Sequence, residues 1–326
     1  MKFLEDARRY EKDMIEDIRS LMAIESVRDD ANAGPGQPFG PNIRKALETM
    51  LEIGKRDGFK VKNVDGYAGV VQYGDLEESV GVLGHLDVVP LGDLADWHFD
   101  PLKGEIKDGF IMGRGSADDK GPAIAAYYAL RILKDHGFKL KHNIQCIFGT
   151  DEETTSAGVL YYKEHEKNPI MGIVPDADFP CIYAEKGILD FRVYGKVNTC
   201  IQEMKAGNAY NVVIGKADVI VNRSLEKEYF EKFLLSQHIT GSCYEDEKGS
   251  HYHIDGKPFH ASKPYHGVNA AVKMFQFIGS CYQDEFSLKA SHILADHYGE
   301  GFGVDFNGAY MGPLTFNLGK VTIHQG

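Results

Sequence analysis

Apolar residues recur at helical spacing near the start of the chain. Phe3, Tyr10, Met14, Ile18 and Leu21 fall near one face, which predicts an amphipathic helix over residues 2–24. A Gly/Pro-rich loop at 34–41 separates it from a second helix carrying Ile43, Leu47, Met50 and Leu51. Tyr67 to Tyr73, Val80 to Leu83, Asn143 to Gly149 and Gly172 to Val174 read as strands. Between them lies a helix over Ala123 to Leu133, with Ile124, Tyr127, Tyr128 and Arg131 at helical spacing and Gly137 as its stop, and another helix that reaches Lys167. This alternation predicts a layered α/β domain with a largely parallel sheet over residues 1–186. The pattern changes near Lys186. Alternating runs (Leu189, Phe191, Val193; then Val213 and Val219 to Val221), a helix around Tyr229 to Leu235 and one from Val268 to Ile278 predict a second, α+β domain over 187–326. The last run, Val321 to Gly326, is strand-like and is expected to stop in mid-domain.

Composition narrows the function classes. Hydrophobic content of 43% and charged content of 26% suit a soluble globular protein. A formal net charge of -12 disfavours nucleic acid and anionic membranes as partners. Acids in the first six residues and the lack of any membrane-length apolar run argue against a signal peptide or a span. Five scattered cysteines without a C-x-x-C pair suggest reduced thiols and a cytoplasmic location.

The chemistry gathers where strands end. His85/Asp87, Asp118/Asp119, Asp151/Glu152/Glu153 and Asp176/Asp178 each follow a predicted strand, and carboxyl ends of strands are where open α/β sheets bind ligands. The stretch Gly113 to Pro122 sets two acids at a strand-to-helix junction, a corner that is costly without a cation. A lysine could supply the charge, but acids both upstream and downstream suggest a metal. One histidine with several carboxylates and no cysteine suits zinc, manganese or cobalt in a two-metal hydrolytic site. Gly113-x-Gly115 also opens like a dinucleotide fingerprint, but Asp118 at its last position would repel a pyrophosphate.

Gly-His-Leu-Asp-Val-Val-Pro (84–90), Gly-Arg-Gly-Ser-Ala-Asp-Asp-Lys-Gly-Pro (113–122), Thr-Asp-Glu-Glu (150–153) and Pro-Asp-Ala-Asp-Phe-Pro (175–180) resemble motifs of the co-catalytic zinc peptidases. That family includes aminoacylases, succinyl-diaminopimelate desuccinylases and carnosinases, and the spacing is most similar to its bacterial dipeptidase V (Xaa-His dipeptidase) branch. The resemblance implies a catalytic domain with an inserted α+β lid, two Zn2+ ions (Mn2+ or Co2+ as substitutes), and small peptides as substrates. It assigns His85 and Asp176 to one zinc, Asp118 as the bridge and Glu153 to the second zinc. Glu152 would be the general base, and Asp87 would orient His85. It also implies a cis peptide between Asp118 and Asp119.

In the second domain, Gly256 to Pro264 and Gly267 to Ala270 are similar to the family's lid motif. That similarity makes His260 the oxyanion stabiliser and Asn211 a substrate contact. The chain departs from the pattern at Ile214, in having no arginine after Arg223 to clamp a substrate carboxylate, and in lacking the segment that supplies a last zinc histidine. His324 is a poor substitute for that histidine, and His251 and His253 are expected to be exposed. A dipeptidase impaired by truncation is therefore the leading expectation. The alternatives are an N-acyl amino acid deacylase and a non-catalytic metal-binding remnant.

Overall fold

The computed structural model describes residues 3–92, 94–177 and 181–324, so Asp178 of the fourth acidic cluster lies outside the described residues. The chain divides into two compact units, Met1–Ile182 and Tyr183–Gly326.

In the first unit the predicted opening helix is α1 (Phe3–Met22), and the second is α2 (Pro41–Arg56), with proline at its first turn where no amide is needed. The chain continues through β1 (Lys60–Val64), β2 (Ala68–Tyr73), β3 (Ser79–His85), a short hairpin β4 (Glu105–Lys107) and β5 (Phe110–Met112), α3 (Lys120–Asp135), β6 (Asn143–Gly149), α4 (Ala157–His165) and β7 (Met171–Ile173). The main sheet has the order β1-β2-β6-β3-β7.

The sheet is mixed. β3 pairs in parallel with both β6 and β7, whereas β1–β2 and β2–β6 are antiparallel. Parallel pairing is thus confined to the three strands whose ends carry the acidic clusters. The antiparallel half has a local cause: β1 and β2 are joined by a tight turn through Asp65 and Gly66, both at positive φ, and a hairpin can only return antiparallel.

Alternate residues of the sheet feed two cores. Val71, Cys146 and Phe148 pack with Leu21, Met22, Leu47, Met50, Ile124 and Tyr127 of the helices, while Val70 and Ile147 pack with Tyr162 of α4 on the opposite face. Helices α1, α2 and α3 are also tied by charge. Asp17, only 9% exposed, accepts two hydrogen bonds from Arg56 at 2.8 Å and one from the Tyr128 hydroxyl at 2.7 Å.

The second unit is an antiparallel sheet of order β10-β11-β9-β8-β14, with helices on one face. Its elements are β8 (Ile201–Ala206), β9 (Lys216–Val221), α5 (Lys227–Gln237), β10 (Thr240–Asp246), β11 (Gly249–Asp255), α6 (Ala270–Tyr282) and α7 (Glu285–Leu294). A small pair, β12 (Asn307–Gly308) and β13 (Gly312–Pro313), precedes β14 (Val321–His324). Inward residues Ala217, Val219, Val221, Tyr252 and Ile254 meet Phe230, Met274 and Phe277. The other face is polar. There His253 bridges Asp218 at 2.7 Å and Asp255 at 3.1 Å.

The alternation at Leu189, Phe191 and Val193 does not form the expected strand. It is irregular chain, with Leu189 82% and Val193 80% exposed. Alternation satisfies a strand only where a neighbour supplies backbone partners, and none of the described residues does so here. No helix among the described residues is long and apolar enough to cross a membrane.

Two outcomes follow. Asp17→Ala leaves the Tyr128 hydroxyl and Arg56 without their acceptor. The expected loss is about 2–3 kcal/mol in denaturant unfolding, less than for a fully buried pair because half-exposed Arg56 can turn to water. Burial opposes charge on His253, but Asp218 and Asp255 outweigh it and raise its pKa. The stability this clamp contributes is therefore complete below the ordinary histidine value of about 6.5 and is lost as pH rises through the raised one. Hydrogen exchange at the β9–β11 amides should be faster in His253→Gln than in wild type at pH 6, and the gap should close in alkaline solution.

Candidate metal centre

The parallel strands bring their carboxyl ends together. In the β3–β6 register His85 stands opposite Gly149, so the loops beginning at Leu86 and Thr150 leave the sheet at one level, and Leu86 donates to the Gly149 carbonyl at 3.0 Å. The loop after β7 leaves on the other side of β3 and carries Asp176. Asp118 and Asp119 precede α3, joined by the cis peptide that the family resemblance implies. Gly84 is required here for contact, since a Cβ at that position would come within 2.6 Å of an Asp119 carboxylate oxygen.

His85 is the hub and is only 2% exposed. Its Nε2 lies 3.0 Å from Asp118 Oδ1 and 3.4 Å from Asp176 Oδ2, and the three ligand atoms lie within 4.8 Å of one another. From behind, the Asp87 carbonyl accepts from Nδ1 at 3.0 Å, with the Asp87 carboxylate at 3.4 Å. Fixing the proton on Nδ1 leaves Nε2 as the face toward the carboxylates. Asp87 has a second task, as its two carboxylate oxygens accept the backbone amides of Glu152 and Glu153, each at 3.1 Å. The imidazole loop and the Glu152–Glu153 turn are thus one assembly. Asp119 adds a third tie, its carboxylate accepting the His85 amide at 3.0 Å.

The charges record how closely acids are gathered. Burial first, then Asp118, pushes Glu153 up to about 7. Asp176 is raised by burial and by Asp118, while Glu152 is raised by burial and then, against the opposing His85, by Asp176. Burial pushes Asp119 to about 7, and its Oδ1 is buried without a hydrogen-bond partner. Burial disfavours charge on His85, yet Asp118 and Asp87 prevail and raise it to about 11. One imidazole and convergent carboxylates that resist ionising together fit a divalent cation of the zinc, manganese or cobalt type.

His85, Asp118 and Asp176 therefore converge. Glu152 and Glu153 stand beside them through the Asp87 link, outside the group of three. The two residues expected on the lid lie in the second unit and are neighbours of each other: Val212 and His260 form an antiparallel bridge, and the Ala261 amide donates to the Asn211 carbonyl at 2.8 Å. The His260 ring is exposed, and its Nδ1 accepts the Ser262 amide at 3.2 Å, leaving Nε2 to carry the proton. Asn269 of the lid motif caps α6, accepting the amides of Ala271 and Val272. His324 lies on β14 opposite Glu203, paired within the second sheet. Sequence inspection had no means of finding Asp119's tie to the His85 amide or Asp87's grip on the next loop, because both act through backbone groups.

Residues 81–316 match the family model described as Peptidase family M20/M25/M40. A Bacillus subtilis (strain 168) protein named "Putative dipeptidase YtjP" is 34% identical over 333 residues, covering 98% of this chain and 72% of that protein. A Staphylococcus aureus (strain USA300) protein that also carries a dipeptidase name is 37% identical over 335 residues, covering 98% and 71%. Among solved structures, human carnosine dipeptidase 1 aligns with a TM-score of 0.46 and 20% identity, over 64% of this chain and 46% of that one.

Metal uptake should be strongly pH-dependent. Against burial, Asp118 and Asp87 favour a protonated His85, and burial with Asp118 favours a protonated Glu153, whereas a metal ligand must give up its proton. Binding should release about one to two protons, raising affinity about tenfold per pH unit for each. Titration calorimetry in two buffers of different ionisation enthalpy measures this directly. Heats that do not depend on the buffer would contradict the proposed ligand set.

Proposed function

The chain belongs to peptidase family M20/M25/M40, and on that premise we propose that it is a metal-dependent dipeptidase acting on short peptides, of the Xaa-His type. The observation that carries this reading is the His85 imidazole, pinned at Nδ1 by Asp87 and presenting Nε2 to Asp118 and Asp176. His85 and Asp176 would hold one zinc, Asp118 would serve both sites, and Glu153 would serve a second zinc, with Mn2+ or Co2+ as replacements. The curated relatives named as dipeptidases support the substrate class. Cytoplasmic action fits reduced cysteines and a short-peptide diet.

A divalent ion in this pocket supplies Lewis acidity, polarising a peptide carbonyl and easing the ionisation of water. The chain's own groups do the rest. Glu152, whose burial and acidic neighbours raise its proton affinity, takes the proton of the attacking water and delivers it to the leaving amine. Asp87 keeps the imidazole in one tautomer and holds the amides of Glu152 and Glu153, so base and ligands move as one piece. The first unit is the catalytic domain and the second the lid. In the second unit, the family resemblance gives His260, whose Nε2 carries the proton, the role of oxyanion stabiliser and Asn211 beside it that of substrate contact.

The test pairs metal content with turnover. Wild type should bind zinc and hydrolyse a dipeptide such as β-Ala-His. Glu152→Gln should retain metal while kcat falls about 10²–10⁴-fold, and Asp176→Ala should lose metal and activity together. Comparing the free dipeptide with its N-acylated analogue decides between peptidase and deacylase. Bound zinc without turnover of either substrate would sink the enzymatic reading.

A further inference from the structure

One short segment, residues 21–28 at the end of α1, touches the loops that carry His85, Asp118 and the Glu152–Glu153 pair, three of the four that hold the proposed ligands and base. We infer that it is a positioning strap for the metal centre and that Arg28 is its principal positioning residue. The inference rests on the metal-centre reading above.

The first tie is Lys120, immediately after Asp118 and Asp119. Its ammonium is buried, with the residue 1% exposed, and donates to the carbonyls of Leu21 at 2.9 Å and Ile24 at 2.7 Å. Those carbonyls lie at or just past the end of α1, where helix hydrogen bonds run out and a cation is favoured. Gly115 makes room for the lysine stem, because a Cβ there would meet Lys120 Cδ at 2.9 Å.

The second tie is Ser26, fully buried. Its hydroxyl donates to the Leu86 carbonyl at 2.6 Å, and its own carbonyl accepts the Val88 amide at 3.0 Å. These bonds bracket Asp87 on both sides.

The third tie is Arg28. Its Nη1 donates to Asp151 Oδ1 at 2.9 Å, while its Nε pairs with Asp30 at 2.8 Å and its guanidinium lies 5.3 Å from the Phe39 ring centre. Asp151 is fully buried and precedes Glu152. Its other oxygen accepts the Thr155 hydroxyl and the Ala157 amide, so this carboxylate organises the whole turn that presents Glu152 and Glu153. Without the Arg28 donor the Asp151 carboxylate loses a bond that holds it in place, and the turn it organises is disturbed. Arg28 is therefore placed to set the geometry of the base and the second-ion ligand through Asp151, without touching the reacting atoms.

The test uses the whole chain as wild type, Arg28→Met, Arg28→Lys and Ser26→Ala. Affinity for Co2+ is measured by chelator competition, with the visible spectrum, kcat and KM on an unblocked dipeptide, and amide exchange at Glu152 and Glu153 in metal-free protein. Arg28→Met should lower kcat and Co2+ affinity about 10-fold or more, leave KM within about twofold, and speed exchange at both amides. Arg28→Lys, which retains the cation, should recover most of the loss, and Ser26→Ala should alter the Co2+ spectrum with a smaller loss of affinity. Wild-type kcat, affinity and exchange in Arg28→Met would overturn the strap. So would a change in KM alone, which would mark Arg28 as a substrate contact. Should Arg28→Met fail to fold, unchanged behaviour in both Arg28→Lys and Ser26→Ala overturns it equally. If wild type binds no Co2+, the metal-centre reading fails, and exchange at the two amides in the metal-free variants still decides the strap.

Discussion

Acidic side chains crowded around a single imidazole are the constraint on which the rest of the first unit depends. Burial together with Asp118 raises the proton affinity of Glu153 and Asp176, burial with Asp176 and Asp118 raises that of Glu152, and His85 opposes all three. Such a group is unfavourable in an isolated protein and becomes favourable when a divalent cation enters. The fold must hold these groups near one another before any ion arrives, and it does so mainly with backbone hydrogen bonds. Asp87 accepts two amides, Asp119 accepts one, and the Asp87 carbonyl receives the imidazole. The His85 amide belongs to β3, and the Glu152 and Glu153 amides lie three and four residues beyond the end of β6, so the sheet positions these donors.

Much of this was legible in the chain because strand ends and acids coincide in the sequence itself. Apolar runs marked β3, β6 and β7; His85 at the end of β3 and Asp176 beyond β7 converge with Asp118, while the acids beyond β6 stand beside them. Helix spacing likewise placed α1, α2 and α3 within a few residues of their limits. What stayed hidden depends on partners distant in sequence. Nothing near Asp17 points to Arg56 and Tyr128, and nothing near Lys120 says that its ammonium ends on carbonyls of α1. The polar strand β1 is part of a hairpin and has only one buried residue, so hydrophobic pattern could not find it. The run at Leu189 to Val193 failed for the converse reason, having the pattern without a partner strand.

The second unit shows a different economy. Its sheet places apolar residues against α5, α6 and α7 and leaves the opposite face to histidines and acids such as His253, Asp218 and Asp255. Asn211 and His260 are brought together by a single bridge and one amide bond, next to an α6 whose start is fixed by Asn269. Both side chains are exposed on a corner whose backbone is held by that bridge and amide bond.

The pairing of His85 with Gly149 carries an evolutionary consequence. Side chains in a strand alternate faces, so adding or deleting one residue upstream in β3 while its ladder with β6 persists would swing the imidazole to the opposite side of the sheet. The number of residues between the start of that ladder and His85 is therefore constrained in steps of two. Variation in chain length is pushed out into the loops and the helices.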